Sequence, residues 1–105
     1  MGKRVRRRGE PGGLTDLEVK RKTEPGYYGD GGGLWLQVSP SGTKSWVFRF
    51  TLAGRPREMG LGPLHTVTLA EARDKALEQR KLVLAKVDPI EARRATTQAV
   101  AVQQA

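Results

Sequence analysis

Cysteine is absent from these 105 residues, and histidine occurs once, at His65. The first absence excludes disulfides and thiolate metal sites, and the second excludes a multi-histidine metal cluster, so no metal and no cofactor is expected. Long apolar runs are missing too. Nothing approaches the roughly 18 consecutive apolar residues of a spanning helix, and the basic start MGKRVRRRGE is not followed by the apolar stretch of a secretory signal. A cytoplasmic location is therefore expected. Aromatics are few, two each of Trp, Tyr and Phe, and a hydrophobic content of 37% at this length allows one modest core.

The chain is rich in positive charge: 19 Lys and Arg stand against 11 Asp and Glu, a formal net charge of +8. Summed potential of that size favours a polyanionic partner, nucleic acid first. A membrane surface fits less well, because the longest helical pattern, residues 69–86, is charged around much of its circumference. Lys3, Arg4, Arg6, Arg7 and Arg8 crowd the start and are followed by GEPGG, which has no periodicity. This segment reads as a flexible basic arm that either binds phosphate or solubilises the chain. Three regions are expected: the arm over 1–13, a folded domain over 14–87, and a C-terminal helix or linker over 88–105.

Folded structure is expected to begin at Leu14. Thr15 and Glu18 have capping-box spacing, and Leu14 and Val19 can form a hydrophobic staple, predicting a short helix from Asp16 to about Lys22. EPGYYGDGGG then reads as a turn-rich connector, its Gly31, Gly32 and Gly33 suiting a tight turn better than a phosphate loop. In LWLQVS, Leu34, Leu36 and Val38 share one face and Trp35, Gln37 and Ser39 the other; in KSWVFRFT, Trp46, Phe48 and Phe50 oppose Ser45, Val47, Arg49 and Thr51. PSGT and LAGR read as turns, and RPREMGLG as a third strand with Met59 and Leu61 inward, Pro56 implying an edge or a bulge. Thr68 and Glu71 form a second capping box, opening a helix with Leu69, Ala72, Ala76, Leu77, Val83 and Leu84 on one stripe. Arg73 and Arg80 lie within that stripe, either reaching its edge or meeting a carboxylate such as Asp30. Asp88, Pro89 and Glu91 start a last helix that is expected to fray in TTQAVAVQQA. The fold class is α+β: a three-stranded antiparallel sheet packed on one face by a long helix, with a short N-terminal helix and a C-terminal helical extension.

One helix shields only one face of such a sheet. The other, carrying Trp35, Gln37, Ser45, Val47, Arg49 and Thr51 with Arg55 and Arg57 at its border, has two readings. It is either an ordinary solvated face or a surface for the DNA major groove, where Arg binds guanine, Gln binds adenine and Thr or Val meets the thymine methyl. Lys44, Ser41 and the turn amides suit phosphates. Single-stranded RNA fits less well, since the inward parity of Trp46, Phe48 and Phe50 leaves mainly Trp35 to stack. Catalysis finds no support: Tyr27 and Tyr28 lack an activating partner, the carboxylates occupy cap or helix-face positions, and His65 sits in a connector.

The segments LTDLEVKR, YGDGGGLWLQVSPSGTKSWVFRF, GRPREMGLGPLHTVTLAEARDKA and DPIEARR, taken in that order, resemble the N-terminal domain of phage-type tyrosine recombinases, the integrases of prophages and integrative elements, over about residues 14–95. The resemblance implies an arm-type DNA-binding domain whose sheet enters the major groove of short sites flanking the crossover. Trp35, Gln37, Lys44, Val47, Arg49, Thr51 and Arg57 then occupy contact positions, and residues 3–8 lie near phosphates or a minor groove. It also implies nucleoid association and a core-binding and a catalytic domain beyond DPIEARR. The recombinase nucleophile belongs to that catalytic domain, so Tyr27 and Tyr28 are not expected to be it, and the chain is expected to be an excised domain or a natural truncation that binds without cutting. The expected partner is double-stranded DNA, with the isolated domain monomeric. The alternative is a protein-interaction module, in which Trp35 and the Arg73 and Arg80 stripe dock a neighbouring protomer or an accessory DNA-bending protein.

Overall fold

The structure, a computed structural model, describes residues 13–104 and the side chains of residues 13–99. Lys3, Arg4, Arg6, Arg7 and Arg8 lie outside the described residues. Seven elements follow one another: α1 (Asp16–Arg21), β1 (Gly26–Gly31), β2 (Leu34–Val38), β3 (Lys44–Leu52), β4 (Arg55–Pro63), α2 (Leu69–Leu84) and α3 (Pro89–Gln104). The strands form one antiparallel meander in the order β1-β2-β3-β4.

The sheet thus has four strands where three are expected, because part of the glycine-rich connector is itself a strand. Gly26 pairs with Val38, Tyr28 with Leu36 and Gly29 with Trp35, with an irregularity between Gly29 and Gly31. Three glycines among six residues hide this strand from propensity, which weights side chains that β1 lacks. What holds it is the ladder to β2 together with a packing requirement: the Trp35 ring lies across Gly29, so a Cβ there would meet the ring at 3.3 Å. The turn after β1 does use glycine for its backbone. Gly33 has φ +89°, and a Cβ on it would come within 2.7 Å of the Phe48 ring and 2.8 Å of the Arg49 carbonyl.

The core lies between the sheet and α2. Leu34, Leu36, Val38, Trp46, Phe48, Phe50 and Met59 point to it from the strands, and Leu69, Ala72 and Ala76 meet them from the helix. Trp46 is fully buried, and its indole N–H donates to the Val67 carbonyl at 2.8 Å, so the polar edge of the largest core side chain is satisfied. Two residues assigned to the helix stripe fall outside it: Leu77 is 40% and Leu84 81% exposed. Each follows a sheet-facing residue, Ala76 and Val83, by one position, and a step of about 100° around the helix axis carries it off the contact line.

Arginines take the flank of that line. Arg73 makes a two-pronged contact with the Asp30 carboxylate, at 2.9 Å and 2.8 Å, and also donates to the Leu14 carbonyl at 2.8 Å. Asp30 in turn accepts from the Leu14 amide at 3.0 Å. One buried carboxylate thereby joins the start of the folded chain, the edge strand β1 and helix α2. Arg80 donates to the Gly32 carbonyl at 3.1 Å, closing the β1–β2 turn from the same helix.

At the other sheet edge, Asp88 begins α3. Its Oδ1 accepts from the Ile90 amide at 2.9 Å, and its Oδ2 accepts from Arg57 of β4 at 2.6 Å. Arg93 then donates to the Gly60 carbonyl at 2.7 Å. The first turns of α3 are therefore fastened to β4, and the helix runs on to Gln104 through the segment TTQAVAVQQA that is expected to fray. No helix among the described residues is long and apolar enough to cross a membrane.

Burial works against the ionised form of Asp30, but the Arg73 hydrogen bonds, the Leu14 amide and the Arg73 charge outweigh it and hold the carboxyl below its ordinary value of 3.8. Partial burial of Asp88 is likewise outweighed by the Ile90 amide and Arg57. A depressed native value means that the stabilisation is complete above the unfolded-state value and is lost as pH falls through the native one. Chemical denaturation at stepped pH should show stability falling below about pH 4, with a shallower fall in Asp30→Asn, where Asp88 alone remains; an unaltered slope would remove Asp30 from this role. Arg73→Ala, which leaves the buried carboxylate without its partner, should cost about 2–3 kcal/mol at neutral pH, solvent screening of the half-exposed arginine keeping the loss below that of a fully buried pair.

Candidate nucleic-acid interface

Strand alternation places a second set of side chains on the sheet face opposite α2. The register aligns Tyr27 and Gly29 of β1 with Gln37 and Trp35 of β2, then with Ser45 and Val47 of β3; Arg49 and Thr51 of β3 lie opposite Glu58 and Pro56 of β4. Val47 is buried on this side and is not part of the core cluster. Among the described residues the strands give this face only two charged side chains, Arg49 and Glu58.

These two meet. Arg49 Nε lies 3.5 Å from Glu58 Oε1, with the side chains 48% and 46% exposed. The Arg49 guanidinium also lies 5.2 Å from the Tyr27 ring centroid and 5.3 Å from the Trp35 centroid, within cation–π range of both. Residues from all four strands, Tyr27, Trp35, Arg49 and Glu58, thus form one contiguous group on an open surface. With Gln37, Ser45 and Thr51 alongside, the face offers hydrogen-bond donors and acceptors, a methyl-bearing edge and a cation at the spacing of adjacent strands, about 4.8 Å. Among the described residues no group of acidic, histidine or cysteine side chains is placed to hold a metal ion.

Of the residues selected from sequence, Trp35, Gln37, Val47, Arg49 and Thr51 come together here. Lys44, Arg55 and Arg57 do not. Lys44 lies opposite Val38, on the core side, and its ammonium donates at 2.8 Å to the carbonyls of Val19 and Lys20, neutralising the C-terminal end of α1. Arg57 lies opposite Phe50, also on the helix side, where it holds Asp88 and lies 3.9 Å from Glu91. Arg55, opposite Leu52, shares that parity at the end of the β3–β4 hairpin and is exposed. A border position judged from composition ignores strand parity, and parity decides which side of the sheet an arginine serves.

Two members of the group, Tyr27 and Glu58, escaped the sequence reading. Glu58 was within reach of it: with Met59 inward, its neighbour points outward. Tyr27 was not, because its role depends on β1 being a strand.

Residues 14–96 match the model of a family described as the arm DNA-binding domain. The chain belongs to the arm DNA-binding domain family. Its relatives include an integrase of Shigella phage Sf6 and the prophage integrase IntS of Escherichia coli K12, each 38% identical over 79 residues, or 75% of this chain and 20% of the relative. An integrase of Enterobacteria phage P4 is 39% identical over 73 residues, covering 68% of this chain and 17% of the relative. The chain therefore spans about a fifth of the length of these relatives.

The two tryptophans of this arm DNA-binding domain report on opposite sides of the sheet, Trp46 buried and Trp35 half-buried on the open face. Acrylamide should quench the emission of Trp35 and leave that of Trp46 nearly untouched, so that Trp35→Phe removes most of the quenchable signal. Equal quenching of the two would contradict the burial of Trp46.

Proposed function

We propose that this domain binds double-stranded DNA in a sequence-specific manner, with the open sheet face set into the major groove, as the N-terminal domain of a site-specific tyrosine recombinase. The cutting and rejoining of DNA would belong to other regions of such a protein, and this domain would hold it at arm-type sites. The observation that carries the reading is the exposed group on the sheet face, in which one arginine projects among aromatic and polar neighbours while most of the other arginines near the sheet are tied to carboxylates or carbonyls. A β-ribbon is narrow enough for the major groove, and the side chains on this face include those that read guanine, adenine and thymine there. A net charge of +8 supplies the sequence-independent attraction.

A second reading has one observation in its favour. Leu77, Leu84 and Val87 are exposed on the helix side, away from the sheet face. They would suit contact with a neighbouring protomer or an accessory protein, which is compatible with DNA binding by the sheet. Sedimentation of the chain and of Leu84→Glu tests it: concentration-dependent association abolished by the substitution supports a contact here, and a monomer throughout opposes it.

For the main reading, a duplex enriched from a random library should be compared with a scrambled duplex across a salt titration. Arg49→Ala should cost about 1–3 kcal/mol on the enriched duplex and much less on the scrambled one. Arg57→Ala, on the other side of the sheet, should lower thermal stability and leave the preference between duplexes intact. If Arg57→Ala erased the preference and Arg49→Ala did not, the sheet face would not be the reading surface.

A further inference from the structure

The charge on the sheet face poses a problem that the proposed function leaves open. A glutamate on a surface meant for a polyanion repels phosphate that comes near it. Glu58 is nevertheless directly opposite Arg49 in the β3–β4 register, and half exposed. Its contact is with Nε of Arg49, on the inner part of the guanidinium. The terminal nitrogens of Arg49 make no hydrogen bond among the described residues, and they are a pair able to fork onto O6 and N7 of guanine. The Tyr27 and Trp35 ring centroids lie 5.2 Å and 5.3 Å from the same guanidinium.

An arginine side chain free in water samples many rotamers, and ordering it on binding costs free energy that subtracts from any contact it makes. An arginine whose inner nitrogen lies 3.5 Å from a carboxylate, an ion pair without a hydrogen bond, and whose guanidinium lies against two rings has fewer orientations open to it, so its outer edge is presented in a narrower range. We infer that Arg49 is the guanine-reading side chain of this face and that Glu58, Tyr27 and Trp35 are positioning residues, which fix its outer edge for a bidentate contact. The inference rests on the sheet-face reading proposed above. Glu58 lowers affinity for DNA in general and raises discrimination, because the repulsion acts at every site and the ordering of Arg49 is rewarded only where guanine accepts both of its terminal nitrogens. Gly29 belongs to the same arrangement, since a Cβ there would meet the Trp35 ring at 3.3 Å and press it aside by a few tenths of an ångström.

Opposite movements of affinity and discrimination distinguish this role from a merely structural or merely electrostatic one. The experiment measures binding of the wild-type chain, Glu58→Gln, Tyr27→Leu and Arg49→Ala to three probes. These are the duplex enriched by the wild-type chain, the same duplex with each guanine in turn replaced by 7-deazaguanine, which lacks the N7 acceptor, and a scrambled duplex. One 7-deazaguanine position should weaken wild-type binding about 10-fold and hardly affect Arg49→Ala. Glu58→Gln should bind the scrambled duplex more tightly, bind the enriched duplex no better, and show a smaller penalty at that same position, while melting as the wild type does. Tyr27→Leu should shrink the penalty without the gain on scrambled DNA. If Glu58→Gln tightens binding to both duplexes equally and keeps the full 7-deazaguanine penalty, Glu58 is only a local charge and the inference falls, with the sheet-face reading left standing. If no duplex is enriched, or Arg49→Ala binds the enriched duplex as the wild type does, the sheet-face reading itself fails and the inference with it.

Discussion

A single helix can bury only one face of a sheet, and the rest of this structure follows from how that limit is met. Ala72 and Ala76 bring α2 against the strands where Trp46, Phe48 and the β2 leucines point, and the core is complete with the side chains of one strand parity. The opposite parity is then left to solvent or to a partner. It is composed accordingly: apart from Val47 and the β4 prolines Pro56 and Pro63, its members are polar, aromatic or glycine, with one cation and one anion in contact. A face so close to neutral does not attract DNA by charge. Attraction can come from the chain as a whole, which leaves the face free to discriminate.

The arginines show this division. Arg73 neutralises a buried carboxylate at one edge of the sheet, Arg57 meets the N-cap of α3 at the other, and Arg80 and Arg93 close backbone carbonyls near the same two edges. In each case the positive charge is spent on the architecture. Arg49 differs in its setting, a shared surface with two aromatic rings and a carboxylate, and in that its outer nitrogens make no hydrogen bond among the described residues. Counting basic residues therefore overstates the number that can read bases, and Lys44, placed on the carbonyls that end α1, is another cation engaged in holding the fold.

Most of the fold is legible in the sequence because its signals are local. The two capping boxes at Thr15 and Thr68 and the alternation in β2 and β3 each depend on residues a few positions apart, and each appears in the structure as expected, save that Val47 of β3 is buried although it lies on the open face. Strand β1 was hidden, since its glycines carry no pattern and its reason for existing, the ladder to β2 and the space for Trp35, lies in other parts of the chain. The same blindness explains the site. Parity within a strand identifies Trp35, Gln37, Val47, Arg49 and Thr51 as neighbours, but the pairing of Arg49 with Glu58 needs the β3–β4 register, and Tyr27 needs β1. The exposed Leu77 and Leu84 make the converse point: an apolar residue one step from a buried stripe looks the same in sequence as one within it.

DNA seated on the sheet face opposite α2 would perturb the residues of that face and spare the helix behind it. Chemical-shift mapping of the backbone amides and the Trp35 indole, with the enriched duplex titrated into the labelled chain, tests that placement most directly. Large shifts should cluster on the open-face residues of β2, β3 and β4, around Trp35, Val47, Arg49 and Glu58, and leave the outer surface of α2 near Leu77 and Leu84 unchanged. Shifts concentrated on α2 with a quiet sheet face would contradict it.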